Sequence, residues 1–410
     1  MFDTASDPGK LGFCPDRLAR IRPWMQRWVD QGKFPGAQTL IARHGQIAYC
    51  DQVGLSDIEN GQPWRRDTIA RIYSMTKPVT SVALLMLFED ALVHLDTPVD
   101  EIIPEFRDRE VLIEGATSID QTRPAATRMT VHHLLTHTSG LTYSFNEGPL
   151  AAEMIERKLD FSVKEGDLAD TVHRLTELPL AFDPGARWNY GVSTDIVGRI
   201  VEIVSGQSLD QFFAERIFSP LGMTDTSFEV SETKSDRFAA CYVKTPEDPL
   251  RLMDPGHGSA FGAGQVRQYS GGGGLTSTID DYCRFADMLR RRGGSADGHR
   301  LLAPRTVELM ATNALGGDLA SMGQPVFSEV SFDGVGFGLG VSVTIDPGRA
   351  KTACNAGDYG WGGMASTMFW VDPVYDMVTI FFTQLVPSSS YPNRKELRAM
   401  AYSSLTDPSC

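Results

Sequence analysis

Positive charge is scarce in this chain: 38 Lys and Arg face 52 Asp and Glu, for a formal net charge of −14. Nucleic acid and anionic membrane surfaces demand clustered basic residues, so neither is an expected partner. Arg290-Arg291-Arg292 is the one marked basic run, and it reads as a solvated helix end before Gly293-Gly294. Cysteine is sparse too. Cys14, Cys50, Cys241, Cys283, Cys354 and Cys410 form no C-x-x-C pair and no dense framework, so free thiols are the default. The longest apolar run, Val79 to Leu92, is interrupted by Thr80, Ser81 and Glu89 and falls short of the roughly 18 residues that span a bilayer. Residues Met1 to Asp7 have neither a basic nor an apolar leader region, so a cytoplasmic protein is expected. A mature form that had lost its leader would read the same way.

Several reactive patterns are also missing. No serine lies in G-x-S-x-G, which excludes the nucleophile elbow. The glycines of Gly271 to Gly274 are not followed by G-K-[ST], so they read as a close backbone approach beside a site and not as a phosphate loop. His133 and His137 stand at i and i+4, but the glutamate of H-E-x-x-H is absent. A structural role for His137 at the Thr138-Ser139-Gly140 turn is the better reading, and no metal and no cofactor is expected.

What remains is ordinary globular material, 42% hydrophobic and 22% charged over 410 residues, enough for two subdomains around a sizeable core. Within it, Ser74-Met75-Thr76-Lys77 sets a hydroxyl and an amine three residues apart at the mouth of an apolar helix. Positions i and i+3 share a helical face, so the two groups can meet. A serine hydroxyl is a weak nucleophile until a base takes its proton. Lysine, with a free pKa of about 10.4, becomes that base once its surroundings disfavour the charge. The helix N-terminus favours negative charge on an attacked acyl group. Two further segments stand in order: Trp188-Asn189-Tyr190-Gly191-Val192 after the turn Asp183-Pro184-Gly185, and Tyr359-Gly360-Trp361-Gly362-Gly363-Met364 before a strand-like run. The first sets a phenol on a loop between helices; the glycines of the second let a substrate approach a strand edge.

With these residues, and with Leu134-Leu135-Thr136-His137-Thr138-Ser139-Gly140-Leu141 and Gly271 to Thr278, the chain resembles the serine β-lactamase and penicillin-binding family over nearly its whole length. Within that family it is similar to the family VIII carboxylesterases, and also to the fungal acyltransferases that load a statin side chain. The resemblance implies Ser74 as the acylated nucleophile, Lys77 as its base and Tyr190 as proton relay. It implies an oxyanion hole from the backbone N–H groups of Ser74 and Met364. Trp361, Gly362, Gly363, Tyr143 and Val192 are candidate substrate contacts. Asp195 is a candidate for orienting the site, or else a helix-start carboxylate held by the dipole. Two departures from the family pattern matter. Val192 stands where an asparagine amide is usual, and Trp361 where a lysine or histidine is usual, so the cation for a β-lactam or peptide carboxylate is expected to be missing. Both changes favour neutral esters.

The expected fold is α/β (α+β) and β-lactamase-like, an antiparallel sheet flanked by helices. Residues 1–100 and 251–410 are expected to form the sheet-bearing subdomain and 101–250 a mostly helical insertion. The element pattern predicts a helix near Pro15 to Gln31 and a hairpin of Ala37 to Ala42 with Gln46 to Val53 about His44-Gly45. It predicts helices at Leu168 to Leu175, Ile196 to Val204 and Leu209 to Ile217. Strands are expected at Phe337 to Ile345, Thr367 to Val371 and Val374 to Phe382, and a closing helix at Asn393 to Leu405. Loops 144–170 and 243–268 are expected to shape the pocket. The leading functional expectation is a serine carboxylesterase acting on small or short-chain acyl esters, with a small-molecule ester as its partner. Acyl transfer to an alcohol, weak β-lactamase or D-Ala peptidase activity, and a non-catalytic penicillin-recognising module stay open beside it.

Overall fold

Strand residues alternate between two faces, and here both faces are buried. Leu40 and Ala42 join the larger of two apolar clusters while Ala37 and Ile41 join the other. The same alternation divides Phe369 and Val371 from Met368 and Trp370, and Ile380 and Phe382 from Phe381. A sheet buried on both sides reads as continuous apolar runs, which is why these strands are so apparent in the sequence. In the computed structural model, which describes residues 4–5, 7–160, 166–324, 326–327, 330–388 and 390–409, they form the centre of an eight-stranded sheet.

From one edge the order is Val335–Phe337, Ser342–Thr344, Tyr359–Gly362, Met368–Asp372, Met377–Phe382, Gly36–Arg43, Gln46–Asp57 and Gln62–Pro63. Every neighbouring pair is antiparallel. Leu40 lies between Ile380 on one side and Cys50 on the other, so strands from the two ends of the chain share the middle of the sheet. The predicted hairpin forms about His44 and Gly45, both at positive φ (53° and 77°), as a two-residue turn matched to strand twist requires. His44 tolerates this conformation with its Nδ1 2.7 Å from Asp376 Oδ2. Helices Ile21–Asp30 and Asn393–Ser404 supply Trp24, Met25, Leu397 and Ala401 to one cluster; Thr76–Glu89 and Ile279–Arg290 supply the other.

Three predicted elements differ in detail. The helix near the start is two, Pro15–Leu18 and Ile21–Asp30, because Pro23 has no N–H to return to the carbonyl of Ala19. The single strand expected over 337–345 is a pair, Val335–Phe337 and Ser342–Thr344, folded against each other. The intervening segment is pressed onto its surroundings: a Cβ on Gly338 would collide with the Met310 carbonyl, and one on Gly340, at φ 83°, with Ser81 Oγ. The last strand begins at Met377 and not at Val374, since the Asp372 carboxylate accepts the amides of Val374 and Tyr375 (2.8 and 3.0 Å) and holds them in a turn.

Between residues 101 and 250 lie helices Val131–Leu135, Pro149–Arg157, Leu168–Thr176, Ser193–Ser205 and Leu209–Phe213, the last continuing into a π turn over Ala214–Phe218. Ser193–Ser205 packs along Thr76–Glu89. That second helix is buried from Thr76 to Leu87 on every face. Its start is therefore sealed on all sides except the one that opens to the cavity described next.

Candidate active site

Ser74 sits in a 3-10 turn, Tyr73–Met75, that passes into the α-helix at Thr76. Tyr73 has φ 41°, a left-handed conformation that costs a non-glycine residue on the order of 1 kcal/mol and persists only where the surroundings enforce it. Enforcement is visible. Ile72 N–H donates to Leu275 O (3.1 Å), Leu275 N–H donates to Thr76 Oγ1 (3.1 Å), and Tyr282 Oη donates to Met75 O (2.9 Å). One turn on, Thr80 Oγ1 donates to Gly271 O (2.7 Å). The glycine tract thus lies along the helix start, as expected. Its glycines are needed there: a Cβ on Gly271 would lie 2.7 Å from Thr194 O, and one on Gly272 2.6 Å from Asp195 Oδ2.

Lys77 is wholly buried, and its Nζ meets three oxygens: Gly272 O at 2.7 Å, Tyr143 Oη at 3.0 Å and Ser74 Oγ at 3.2 Å. The same nitrogen lies 4.7 Å from the centre of the Tyr190 ring. Tyr190 Oη accepts the indole N–H of Trp361 at 3.2 Å, and its ring stacks on Trp188 and tilts against Tyr143. Asn146 Nδ2 ties down the Tyr190 carbonyl (2.8 Å). Burial, reinforced by Tyr190 and Asp195, pushes the Tyr143 phenol well above its ordinary range, which keeps it protonated. Burial also raises Asp195, against the opposing pull of the Ser270 hydroxyl, Lys77 and the Gly272 amide.

The third motif completes the ring around Ser74. Tyr359–Gly362 forms a strand, Gly363 N–H donates to Thr367 O (2.8 Å), and a Cβ on Gly363 would collide with the carbonyl of Ile72. No other residue would let the strand end come this close to the turn that carries the serine. Ser74, Trp361, Gly362, Gly363 and Met364 all line one cavity of about 680 Å3, within the range of small-molecule sites. Phe145, Phe332 and Val335 add apolar wall.

Two of the expected substrate contacts lie elsewhere. Tyr143 is in the shell of Lys77, behind Phe145, which stacks on it at 5.1 Å. Val192 lines a separate small crevice with Leu141, Leu150 and Met154. From loop 144–170 the cavity takes Phe145, Asn146 and Glu147, while residues 161–165 lie outside the described ones; from 243–268 it takes none. Its far wall comes instead from Gln324, Ser331, Phe332 and Val335 and from Pro387, Ser388, Arg394, Lys395 and Arg398. Trp361 stands in place of the motif's usual lysine or histidine, but the cavity has a cation from elsewhere in the chain. Arg394, from the closing helix, lines it and lies against Gly362, so close that a Cβ there would meet the guanidinium.

His137 belongs to no helix face shared with His133, because the helix stops at Leu135 and His137 has φ 54°. Its imidazole packs among Tyr190, Trp188 and Phe337. Burial and then Lys77 push it well below the usual histidine range, so it is neutral. Among the described residues no group of three or more His, Cys, Asp or Glu side chains is placed to hold a metal ion, and no helix is long and apolar enough to cross a membrane.

The chain as a whole is similar to known proteins. The family profile described as Beta-lactamase matches residues 21–402. Protein Rv1367c of Mycobacterium tuberculosis is 35% identical over 371 residues, spanning 88% of each chain. Esterase EstB of Burkholderia gladioli is 33% identical over 382 residues, spanning 89% of this chain and 90% of that one. Among solved structures, EstCE1, described as a hydrolase with promiscuous acyltransferase activity, superposes with a TM-score of 0.78 at 26% identity, covering 94% of this chain and 99% of its own.

Proposed function

The chain belongs to the β-lactamase family, and on that footing we propose that it is a serine carboxylesterase of the family VIII type, cleaving small or short-chain acyl esters through an acyl-enzyme on Ser74. The observation that carries this reading is the 3.2 Å approach of Lys77 Nζ to Ser74 Oγ inside a closed shell, with Tyr190 over the same nitrogen. Lys77 takes the serine proton as Oγ attacks the ester carbonyl. The tetrahedral oxyanion is held by the N–H groups of Ser74 and Met364, each contributing on the order of 3 kcal/mol. Tyr190 delivers a proton to the departing alkoxide, and the acyl group stays on Oγ. In the second half-reaction Tyr190 takes a proton from the incoming water, and as the tetrahedral intermediate collapses to the acid Lys77 returns its proton to Ser74 Oγ, freeing the serine.

The ester preference rests on Val192 and Trp361, which leave the site without the amide and the cation of the usual family motifs. Arg394 approaches Gly362 from the other wall, so an anionic substrate remains a competing outcome of the test. Turnover of a β-lactam well above that of a chromogenic butyrate would overturn the preference. A cavity of about 680 Å3 exceeds what a short ester fills, and this favours one second reading, acyl transfer to an alcohol held beside the acyl-enzyme. Product ester against free acid at varied alcohol concentration separates the two.

A phosphonate ester probe tests the whole reading. It should label the wild-type protein once and the Ser74→Ala variant not at all; labelling that persists in the variant would sink the assignment. Absence of both labelling and turnover would leave only the binding-module reading. A cytoplasmic location is part of the same proposal, supported by five free cysteines among the described residues.

A further inference from the structure

Asp195 is a buried carboxylate in the first turn of Ser193–Ser205, and its side-chain hydrogen bonds leave that helix. Oδ1 accepts Ser270 Oγ at 2.6 Å and Gly272 N–H at 3.0 Å, across the packing seam. A carboxylate serving only the helix dipole gains as much at the surface, where its charge stays solvated. Here it is spent on holding one turn of the glycine tract.

The same residue that Asp195 grips by its amide presents its carbonyl to Lys77 Nζ, at 2.7 Å the shortest of the three contacts that nitrogen makes. A neutral amine has two N–H groups and one lone pair. A carbonyl oxygen can only accept, so Gly272 O always takes one N–H. The lone pair is then confined to Ser74 or Tyr143, both of which carry a hydroxyl. With Lys77 as the base for Ser74, Tyr143 takes the second N–H and the lone pair is left for Ser74. Orientation of the base therefore depends on where the Gly272 carbonyl stands, and the carbonyl has little freedom: Thr80 Oγ1 holds Gly271 O, and Asp195 Oδ1 holds Gly272 N–H.

We propose that Asp195 is a positioning residue for the general base, acting through the Gly272 peptide to aim the lone pair of Lys77 at Ser74. This rests on Lys77 being the base that activates Ser74. The role needs the hydrogen bonds that the side chain accepts, and not its charge.

The test is the rate of covalent labelling by the phosphonate ester probe, resolved into the limiting rate and the concentration at half-maximal rate. Asp195→Ala should lower the limiting rate about 30- to 100-fold and leave the half-maximal concentration within about threefold, at a temperature where the variant is fully folded. Asp195→Asn, which keeps an acceptor oxygen at the same place, should stay within about fivefold of wild type. Labelling of Asp195→Ala at the wild-type rate overturns the proposal. So does an Asn variant as slow as the Ala variant, since charge would then be the operative property. If Asp195→Ala does not fold, Ser270→Ala removes one of the two donors and leaves the carboxylate; it should label about three- to tenfold more slowly, and a wild-type rate there is equally fatal. Ser74→Ala run alongside separates the two readings. Continued labelling in that variant means the nucleophile is misassigned, whereas its loss together with unaltered Asp195 variants refutes the positioning role alone.

Discussion

The indole Nε1 of Trp361 donates to the phenol oxygen of Tyr190 at 3.2 Å. Indole N–H can only donate, so Tyr190 Oη is the acceptor in this pair. In the proposed mechanism, a donor on the phenol oxygen stabilises the negative charge that develops there as the proton passes to a leaving alkoxide. Trp361, in sequence a candidate for the substrate wall, is therefore also tied to Tyr190, the residue proposed as proton relay. Phe337 meets its ring edge-on at 5.2 Å and fixes its plane.

Trp361→Phe keeps most of the apolar wall and removes the donor. A hydrogen bond to a group that becomes charged contributes about 1.5–3 kcal/mol, so kcat for a chromogenic butyrate should fall about 10- to 100-fold with a smaller change in KM. Steady-state kinetics on the two proteins is sufficient. An unchanged kcat would show that the indole serves packing alone.

Tyr143→Phe leaves the ring stacked on Phe145 and takes away one of the oxygens around Lys77 Nζ. Expected is a fall of about tenfold in kcat, KM within about twofold, and a stability loss near 1 kcal/mol in urea unfolding. A large rise in KM would instead return Tyr143 to the substrate wall.

Adjacent glycines should respond in opposite ways. A Cβ on Gly272 would stand 2.6 Å from Asp195 Oδ2 and 3.1 Å from Tyr143 Oη, whereas one on Gly273 meets nothing nearer than the Tyr73 backbone at 3.8 Å. Gly272→Ala should lose at least about 2 kcal/mol and most of its activity; Gly273→Ala should change stability by less than about 0.5 kcal/mol. Thermal unfolding of the pair checks the packing of the tract directly.

Burial pushes the Asp281 carboxyl up to about 6, against the Asp225 amide and the Thr226 hydroxyl that pull it down. Between its ordinary value of 3.8 and about 6 the folded protein binds more protons at this site than the unfolded chain, so its contribution to stability falls as pH rises through that window. Asp281→Asn keeps an acceptor for both donors and cannot ionise. Its stability relative to wild type should rise between pH 4 and 6 and level off above, with a gain on the order of 1–2 kcal/mol at pH 7.5. Urea unfolding at pH 4, 5, 6 and 7.5 gives the curve; parallel curves for the two proteins would contradict it.

What was legible from sequence follows a physical division. The Ser74–Lys77 pairing, the hairpin about His44-Gly45 and the closing helix over Asn393–Ser404 all rest on local spacing, which the backbone converts directly into geometry. That Gly271 to Gly274 admit a close backbone approach was legible from residue type alone, since glycine lacks a Cβ. Tyr143 reaching Lys77 and Gly272 supplying a carbonyl are meetings between residues 66 and 195 positions apart, and no periodicity encodes which loops come together. Arg394 was hidden in an amphipathic helix where a cation is unremarked. The reversal inside 335–344 was masked because an apolar run buried on both sides of a bend has the same composition as one buried on both faces of a strand.

The central claim is acyl transfer through Ser74, and one measurement addresses it most directly. The protein is mixed with a chromogenic butyrate, quenched in acid within milliseconds, digested and mapped by mass spectrometry. A butyryl group on the peptide containing Ser74, formed at the rate of the product burst and absent from Ser74→Ala, is the predicted result. Turnover with no acylated peptide, or with the acyl group on another residue, would contradict the account.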